Sequence, residues 1–391
     1  MQPRENIADT GLRGVPVAST RISYVDGEQG RLLYRGYRIE DLAQGASFEE
    51  VAHLLLRDRL PDFGELEAMR AALAAERGLP EHVLQMLRVL PRKSEPMEVL
   101  QAAVPLLAYG DEDLKDSSRE ASRRMGTRLV ARLPGIIAAW HRIRRGLDFV
   151  APDPELGHAG NLLYMLSGQQ PDAEAARYLD ICLILHAEHS LNASTFAARE
   201  VCSTRAHMYA AVAAAVGSLS GELHGGANAR VMQMLQEIGS EERIEEYVRS
   251  TLEGGGKIMG MGHAVYRTMD PRARILAPIS RRLGERSEKP EWYELSAELE
   301  NRTREYFRQQ KGREIHPNVD FYSATVYFHL GVPVDLFTPI FAASRVAGWA
   351  AHVIEERHAE AAETALYRPS SEYVGDYCGP QECSFMPLER R

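Results

Sequence analysis

Four segments of this 391-residue sequence carry residue types used in acid–base chemistry. They are "HAEHSLNASTF" with His189, "GELHGGANARVMQML" with His224, "GMGHAVYRTMDPRA" with His263 and Arg272, and "HPNVDFYSATVYFHLGVP" with Asp320. Taken alone, each has an ordinary explanation. His189 on an apolar helix reads as a satisfied buried histidine. His224 ahead of two glycines reads as the start of a helix, and Asp320 as the N-cap of the helical text after it. Arg345 is harder to explain. It is the only charge in "LFTPIFAASRVAGWAAHV", with no acidic residue within a helical turn. A buried guanidinium needs an anion, so one must come from a ligand or a distant side chain.

Taken together, these residues suggest a reaction class. Arginine forks bind carboxylates bidentately, and several arginines suit a di- or tricarboxylate. An aspartate beside neutral histidines can remove a proton next to a carbonyl while an imidazole N–H stabilises the enolate. A histidine near a helix N-terminus is held neutral and donates a hydrogen bond. Carbon–carbon bond formation between an enol and a second carbonyl compound fits this set, and so do other acid–base lyases and isomerases. Competing patterns are weaker. "GGGKI" lacks the Ser or Thr of a phosphate loop, and "LHGGA" has no GxSxG elbow to accompany it. In "HAEH" the histidines lie three apart with no Glu after the first, which disfavours a zinc hydrolase.

The elements that position these residues are mostly helical. "SFEEVAHLLLRDRLP" opens on a Ser cap with Glu three residues on and is expected to end at Pro61; "DFGELEAMRAALAAERGLP" repeats that design. The text "SREASRRMGTRLVARLPGIIAAWHRIRRG" predicts a helix interrupted near Pro134. Before these, "VPVASTRISYV" and "GRLLYRGY" flank "DGEQ" and predict a small β-hairpin. The expected fold is mainly α with that N-terminal hairpin. Residues 1–222 and 326–391 form a large helical domain, and 223–325 a smaller glycine-hinged one between its two parts.

Net charge is −9, with 45% apolar and 26% charged residues, which argues against a nucleic-acid partner and does not exclude anionic small molecules. Four cysteines without CxxC spacing read as reduced structural thiols. No apolar segment follows the N-terminal charges, and no apolar run reaches the roughly 20 residues of a membrane span, so a soluble cytoplasmic chain is expected.

In this order and spacing, the four segments, with "GYRIEDLA" and "FTPIFAASRVAGW", resemble citrate synthase in its short dimeric form, which includes the 2-methylcitrate synthases. The match runs from about Gly11 to Gly375. The resemblance implies a two-domain helical fold and condensation of acetyl-CoA with oxaloacetate, followed by thioester hydrolysis, with no metal or other cofactor. It assigns His224 to polarising the thioester carbonyl, Asp320 to removing the methyl proton and His263 to the oxaloacetate ketone. His189, Arg272 and Arg345 become oxaloacetate contacts. Arg368 becomes the arginine that reaches the partner's site in a homodimer. Arg267, with Lys257, Lys311 and Arg313 as lesser candidates, would meet coenzyme A phosphates. Propionyl-CoA as the acyl donor, and a non-catalytic ligand-binding paralogue, remain alternatives. Two departures from relatives stand near the site, Ala264 after the loop histidine and Glu222 ahead of "LHGG".

Overall fold

Short-range signals start several helices as expected. Ser47 and Glu50 form a reciprocal capping box at the start of helix Phe48–Arg57, and Asp62 and Glu65 do the same for Phe63–Glu76. The first of these ends before Pro61, where Asp58 adopts a left-handed φ of 73°. The computed structural model describes residues 11–12, 14–287, 291–359, 365–371 and 384–390. Among them are sixteen α-helices and one three-stranded sheet.

The hairpin is present. Strand β1 (Ser23–Asp26) pairs antiparallel with β2 (Arg31–Tyr34), Ser23 opposite Tyr34 and Asp26 opposite Arg31. A third strand, β3 (Tyr37–Arg38), was not anticipated; at two residues it is too short to leave a pattern. The predicted break at Pro134 does not occur. Helix Arg119–Arg144 runs through it, burying Leu129, Leu133, Ile136, Ile137 and Trp140. An interior proline costs about 3 kcal/mol, which burial of several large side chains at about 1.5–3 kcal/mol each outweighs.

Helix Phe337–Arg357 lies at the centre of the core, buried over most of its length. It packs on Arg119–Arg144, Ala193–Ser203, Met208–Ser220 and Phe48–Arg57. At Gly348 a Cβ would fall 2.3 Å from both the Ala187 carbonyl oxygen and Glu188 Oε2, so this helix passes directly against the "HAEH" turn. A second group of helices, Ala227–Ile238, Pro271–Gly284, Glu291–Lys311 and Val319–His329, packs together further along the chain. Among the described residues no helix is long and apolar enough to cross a membrane. Cys182 and Cys202 are buried free thiols, while Cys378 and Cys383 lie outside the described residues.

Candidate active site

Asp320 stands at the second position of helix Val319–His329, two residues past the cap it was expected to be. The cap is Asn318, whose Oδ1 accepts the Asp320 N–H at 3.0 Å. A cap's carboxylate would be occupied by backbone N–H groups. Among the described residues no hydrogen bond engages the Asp320 carboxylate.

The His263 loop is stitched to this helix start. Asn318 N donates to the Gly260 carbonyl (2.9 Å), Asn318 Nδ2 to the Gly262 carbonyl (2.8 Å), and Gly262 N to the His316 carbonyl (2.8 Å). Gly260 explains part of the glycine-rich text. Its φ is +76°, and a Cβ there would lie 3.0 Å from the Phe321 Cα. This glycine serves backbone-on-backbone packing. Gly254, Gly255 and Gly256 are exposed.

Fixed backbone donors determine which nitrogen carries the proton on two histidines. His263 Nδ1 accepts from the N–H groups of Val265 (2.9 Å) and Tyr266 (3.2 Å), so the neutral ring bears its proton on Nε2. His224 Nε2 accepts from the Ser194 N–H (3.1 Å), which leaves the proton on Nδ1. His224 does not begin a helix, since the next one starts at Ala227 behind Gly226 with φ +75°. Burial lowers both imidazoles to about 4, helped by Arg345 at His224 and by Arg272 at His263. Both are therefore neutral donors at neutral pH. Burial and Arg272 also lower His189, whose Nε2 meets the Tyr266 hydroxyl at 3.2 Å and whose ring centroid lies 5.3 Å from that of His263. Asp320 moves the other way, pushed up to about 6 by burial and held there against the pull of Arg272.

Two buried arginines, Arg272 and Arg345, have distinct supports beside these groups. Arg272 forks onto Asp270 through Nε (3.0 Å) and Nη2 (2.8 Å). Asp270 also accepts the Val319 N–H at 3.2 Å, which ties Arg272 to the Asp320 helix. Arg345 is 2% exposed; its Nε donates to the His186 carbonyl (2.6 Å) and its guanidinium lies 4.6 Å over the Phe341 ring. Its counter-charge is Glu188, fully buried, which binds Ser23 Oγ (2.9 Å) and His352 Nε2 (3.0 Å). Even so, burial lowers Arg345 to about 10.

His189, His224, His263, Arg272, Asp320 and Arg345 all line one cleft of about 640 Å³, with Leu223, Val265 and Phe341 as apolar wall. The remaining candidates do not line it. Arg267, Lys257, Lys311 and Arg313 are exposed, with Arg313 stacked 5.2 Å over the Phe307 ring. Arg368 is exposed beside Tyr367, whose hydroxyl binds Glu356 at 3.1 Å. Glu222 points outward, 85% exposed, with Arg230 3.6 Å away, and so leaves the His224 bonds undisturbed. Among the described residues no group of three or more His, Cys, Asp or Glu could hold a metal ion. Asp270, Glu188, Tyr266 and Ser194 have supporting roles that sequence reasoning missed. Asp270 stands inside the "GMGHAVYRTMDPRA" segment, where its nearness to Arg272 was the available signal, and the other three leave no local signal.

The family model described as "Citrate synthase, C-terminal domain" matches residues 11–370. The chain is 45% identical to the citrate synthase of Haloferax volcanii, over 97% of this chain and 98% of that one. It is 38% identical to the 2-methylcitrate synthase of Shewanella oneidensis, over 96% and 97%. A solved ternary complex of carboxymethyl coenzyme A and oxaloacetate with the citrate synthase of Thermoplasma acidophilum superposes with a TM-score of 0.89 at 33% identity, covering 97% of this chain and 98% of that one. The chain belongs to the citrate synthase family, enzymes that transfer an acyl group to form an alkyl product.

Proposed function

We propose that this chain condenses acetyl-CoA with oxaloacetate and then hydrolyses the citryl thioester to citrate and coenzyme A, the entry step of the tricarboxylic acid cycle. One observation carries the reading: a single cleft gathers two neutral imidazoles with an unpaired carboxylate raised to about 6. His224 Nδ1–H donates to the thioester carbonyl, and Asp320 removes a methyl proton to give the enol. Asp320 remains mostly ionised at neutral pH and is a stronger base than an ordinary carboxylate. His263 Nε2–H donates to the ketone as the enol attacks, stabilising the charge that develops on oxygen. Arg345, Arg272 and His189 hold the keto-diacid. No metal or other cofactor takes part.

Arg368 completes the site from the partner in a homodimer, and Arg267, with Lys257, Lys311 and Arg313 in lesser roles, meets coenzyme A phosphates. Residues 223–325 close over oxaloacetate before acetyl-CoA chemistry begins, which keeps water from the thioester. The protein works in the cytoplasm. Closure predicts compaction by small-angle scattering when oxaloacetate is added; unchanged dimensions would remove that step.

Thiol release from acetyl-CoA and from propionyl-CoA, each with oxaloacetate, tests the reaction. Acetyl-CoA is expected to give the higher kcat/KM. One extra methylene in an apolar pocket discriminates by about 10–200-fold, so a preference for propionyl-CoA would reassign the chain to 2-methylcitrate synthesis. No release from either would leave a ligand-binding protein.

A further inference from the structure

We propose that the turn of the N-terminal hairpin positions the His263 loop, with Gly27 a positioning residue for the step in which His263 meets the ketone. The assignment of that step rests on the function proposed above; the contact itself does not. The Arg267 N–H donates to the Gly27 carbonyl at 2.9 Å. A Cβ on Gly27 would lie 2.2 Å from the Val265 carbonyl oxygen, a backbone atom that can give way only if its whole peptide unit shifts. At Gly30, with φ +62°, a Cβ would lie 2.7 Å from Thr268 Cγ2 and 3.1 Å from the Met269 carbonyl oxygen. The two ends of the turn therefore rest on the chain immediately after His263.

The point of contact matters because the Val265 carbonyl and the Tyr266 N–H belong to one planar peptide unit. That N–H is one of the two donors that fix His263 Nδ1 as acceptor. Pushing the carbonyl away from Gly27 turns the same unit and withdraws one of the two donors that select the tautomer, leaving the Val265 N–H alone to hold it. The turn is stiff enough to act as a stop. Asp26 accepts from Gln29 N (2.9 Å) with one oxygen and from Arg31 (3.1 Å) with the other.

The same small sheet also holds the His189 turn. Ser23 Oγ accepts the Ser190 N–H at 3.0 Å, and the Tyr34 hydroxyl donates to the Glu188 carbonyl at 2.8 Å. One rigid hairpin thus touches both histidine-bearing turns and sets His189 and His263 relative to each other. No catalytic side chain comes from the hairpin: it acts on the His263 loop through the backbone of its turn, and on the His189 turn through the Ser23 and Tyr34 hydroxyls.

The test is Gly27→Ala in the full-length protein, with Gly45→Ala as control, since no atom of the described residues lies within 4 Å of a Cβ there. Two readouts are taken: kcat and KM for oxaloacetate, and the imidazole 15N resonances of His263 in histidine-labelled protein. Misplacing a catalytic group by about 1 Å costs on the order of 10²-fold, so kcat should fall by about that factor. KM for oxaloacetate should change little, because Arg345 and Arg272 are untouched. The 15N pattern should move from the Nε2–H form toward mixed tautomers, while Gly45→Ala matches wild type in both.

Wild-type kcat together with a wild-type 15N pattern in Gly27→Ala would overturn the proposal. Lost activity with an unchanged 15N pattern would also overturn it, as would a KM rise without loss of kcat. A wild-type chain that released no thiol would remove the functional reading, while the 15N comparison would still decide whether Gly27 sets the tautomer. If Gly27→Ala does not fold, Gly30→Asn tolerates the left-handed φ and still presses on Thr268 Cγ2. Its defect should then be partly relieved by Thr268→Ser, and no relief would count against the proposal.

Discussion

Two cavities in this protein hold buried ionisable groups shifted in the same directions, and only one has the form of a reaction site. The second, of about 770 Å³, is lined by Glu49, Arg77, His158, Arg177 and Asp180 among others. There burial lowers His158 to about 3, and burial with Glu49 raises Asp180 to about 6, much as Asp320 is raised in the cleft. The difference lies in what the polar atoms do. Asp180 accepts the Phe48 N–H (2.9 Å) with one oxygen and Arg177 (2.7 Å) with the other. Glu49 accepts the His158 N–H (2.8 Å), and Arg77 donates to the Asp153 and Leu156 carbonyls. Among the described residues His158 Nε2 is buried without a partner, and its ring lies 5.0 Å from that of Phe48. Those charges fasten helix starts to one another. In the cleft, the Asp320 carboxylate and the protonated nitrogens of His224 and His263 are left for a substrate. Perturbed pKa values occur in both places, so they mark burial; a free carboxylate and two free imidazole donors facing one space, rather than a single orphan nitrogen such as His158 Nε2, mark the site.

Matched substitutions sharpen this contrast. The largest effect is expected from Asp320→Asn, which should lower kcat by about 10³-fold or more, at the upper range of general-base contributions. Asp180→Asn should leave kcat within about twofold. Next, His224→Ala should lower kcat by about 10²–10³-fold, the usual loss for one donor to a developing oxyanion. His158→Phe should leave turnover alone and register only in the melting temperature. Arg345→Ala should raise KM for oxaloacetate by about 30-fold or more, as removal of a buried charge partner costs about 2–5 kcal/mol. Arg77→Ala should reduce stability without that change in KM.

The smallest effects are those of pH. Turnover should fall as pH drops through about 6, because Asp320 must be ionised to act as base. Asp180 enters through stability instead. Its folded value, about 6, lies above its ordinary 3.8, so the native state holds that proton more tightly than the unfolded chain. Stability from this group is full below about 4 and is lost as pH rises towards 6. Denaturant titrations of Asp180→Asn between those values should show a flatter dependence than wild type. A turnover profile that instead tracked Asp180 would merge the two cavities into one functional unit.

What the sequence reveals about this fold is mainly local. The capping boxes at Ser47 and Asp62 and the hairpin around "DGEQ" are set by residues within a few positions of each other, and all three form as expected. Pro134 misleads because packing along Arg119–Arg144 overrides a local preference. Asp320 misleads as a cap because Asn318, two residues earlier, takes that role. Six site residues are legible through their motifs and line one cleft. Their supports are not, because each depends on a distant partner: Ser194 on His224, Glu188 on His352, Asp270 on the Val319 N–H. A side chain that acts by holding another has no pattern of its own in the text.

The central claim is that the Asp320 carboxylate and the His224 N–H converge on one acetyl unit beside an arginine-held diacid. It is tested most directly by exchange of the acetyl-CoA methyl protons with D2O. The second ligand should be a four-carbon dicarboxylate bearing a hydroxyl in place of the ketone, so that no bond can form. Wild type should incorporate deuterium at the methyl group, and Asp320→Asn should lose that exchange while still binding the dicarboxylate. Exchange that survives in Asp320→Asn, or none in wild type, would contradict the account.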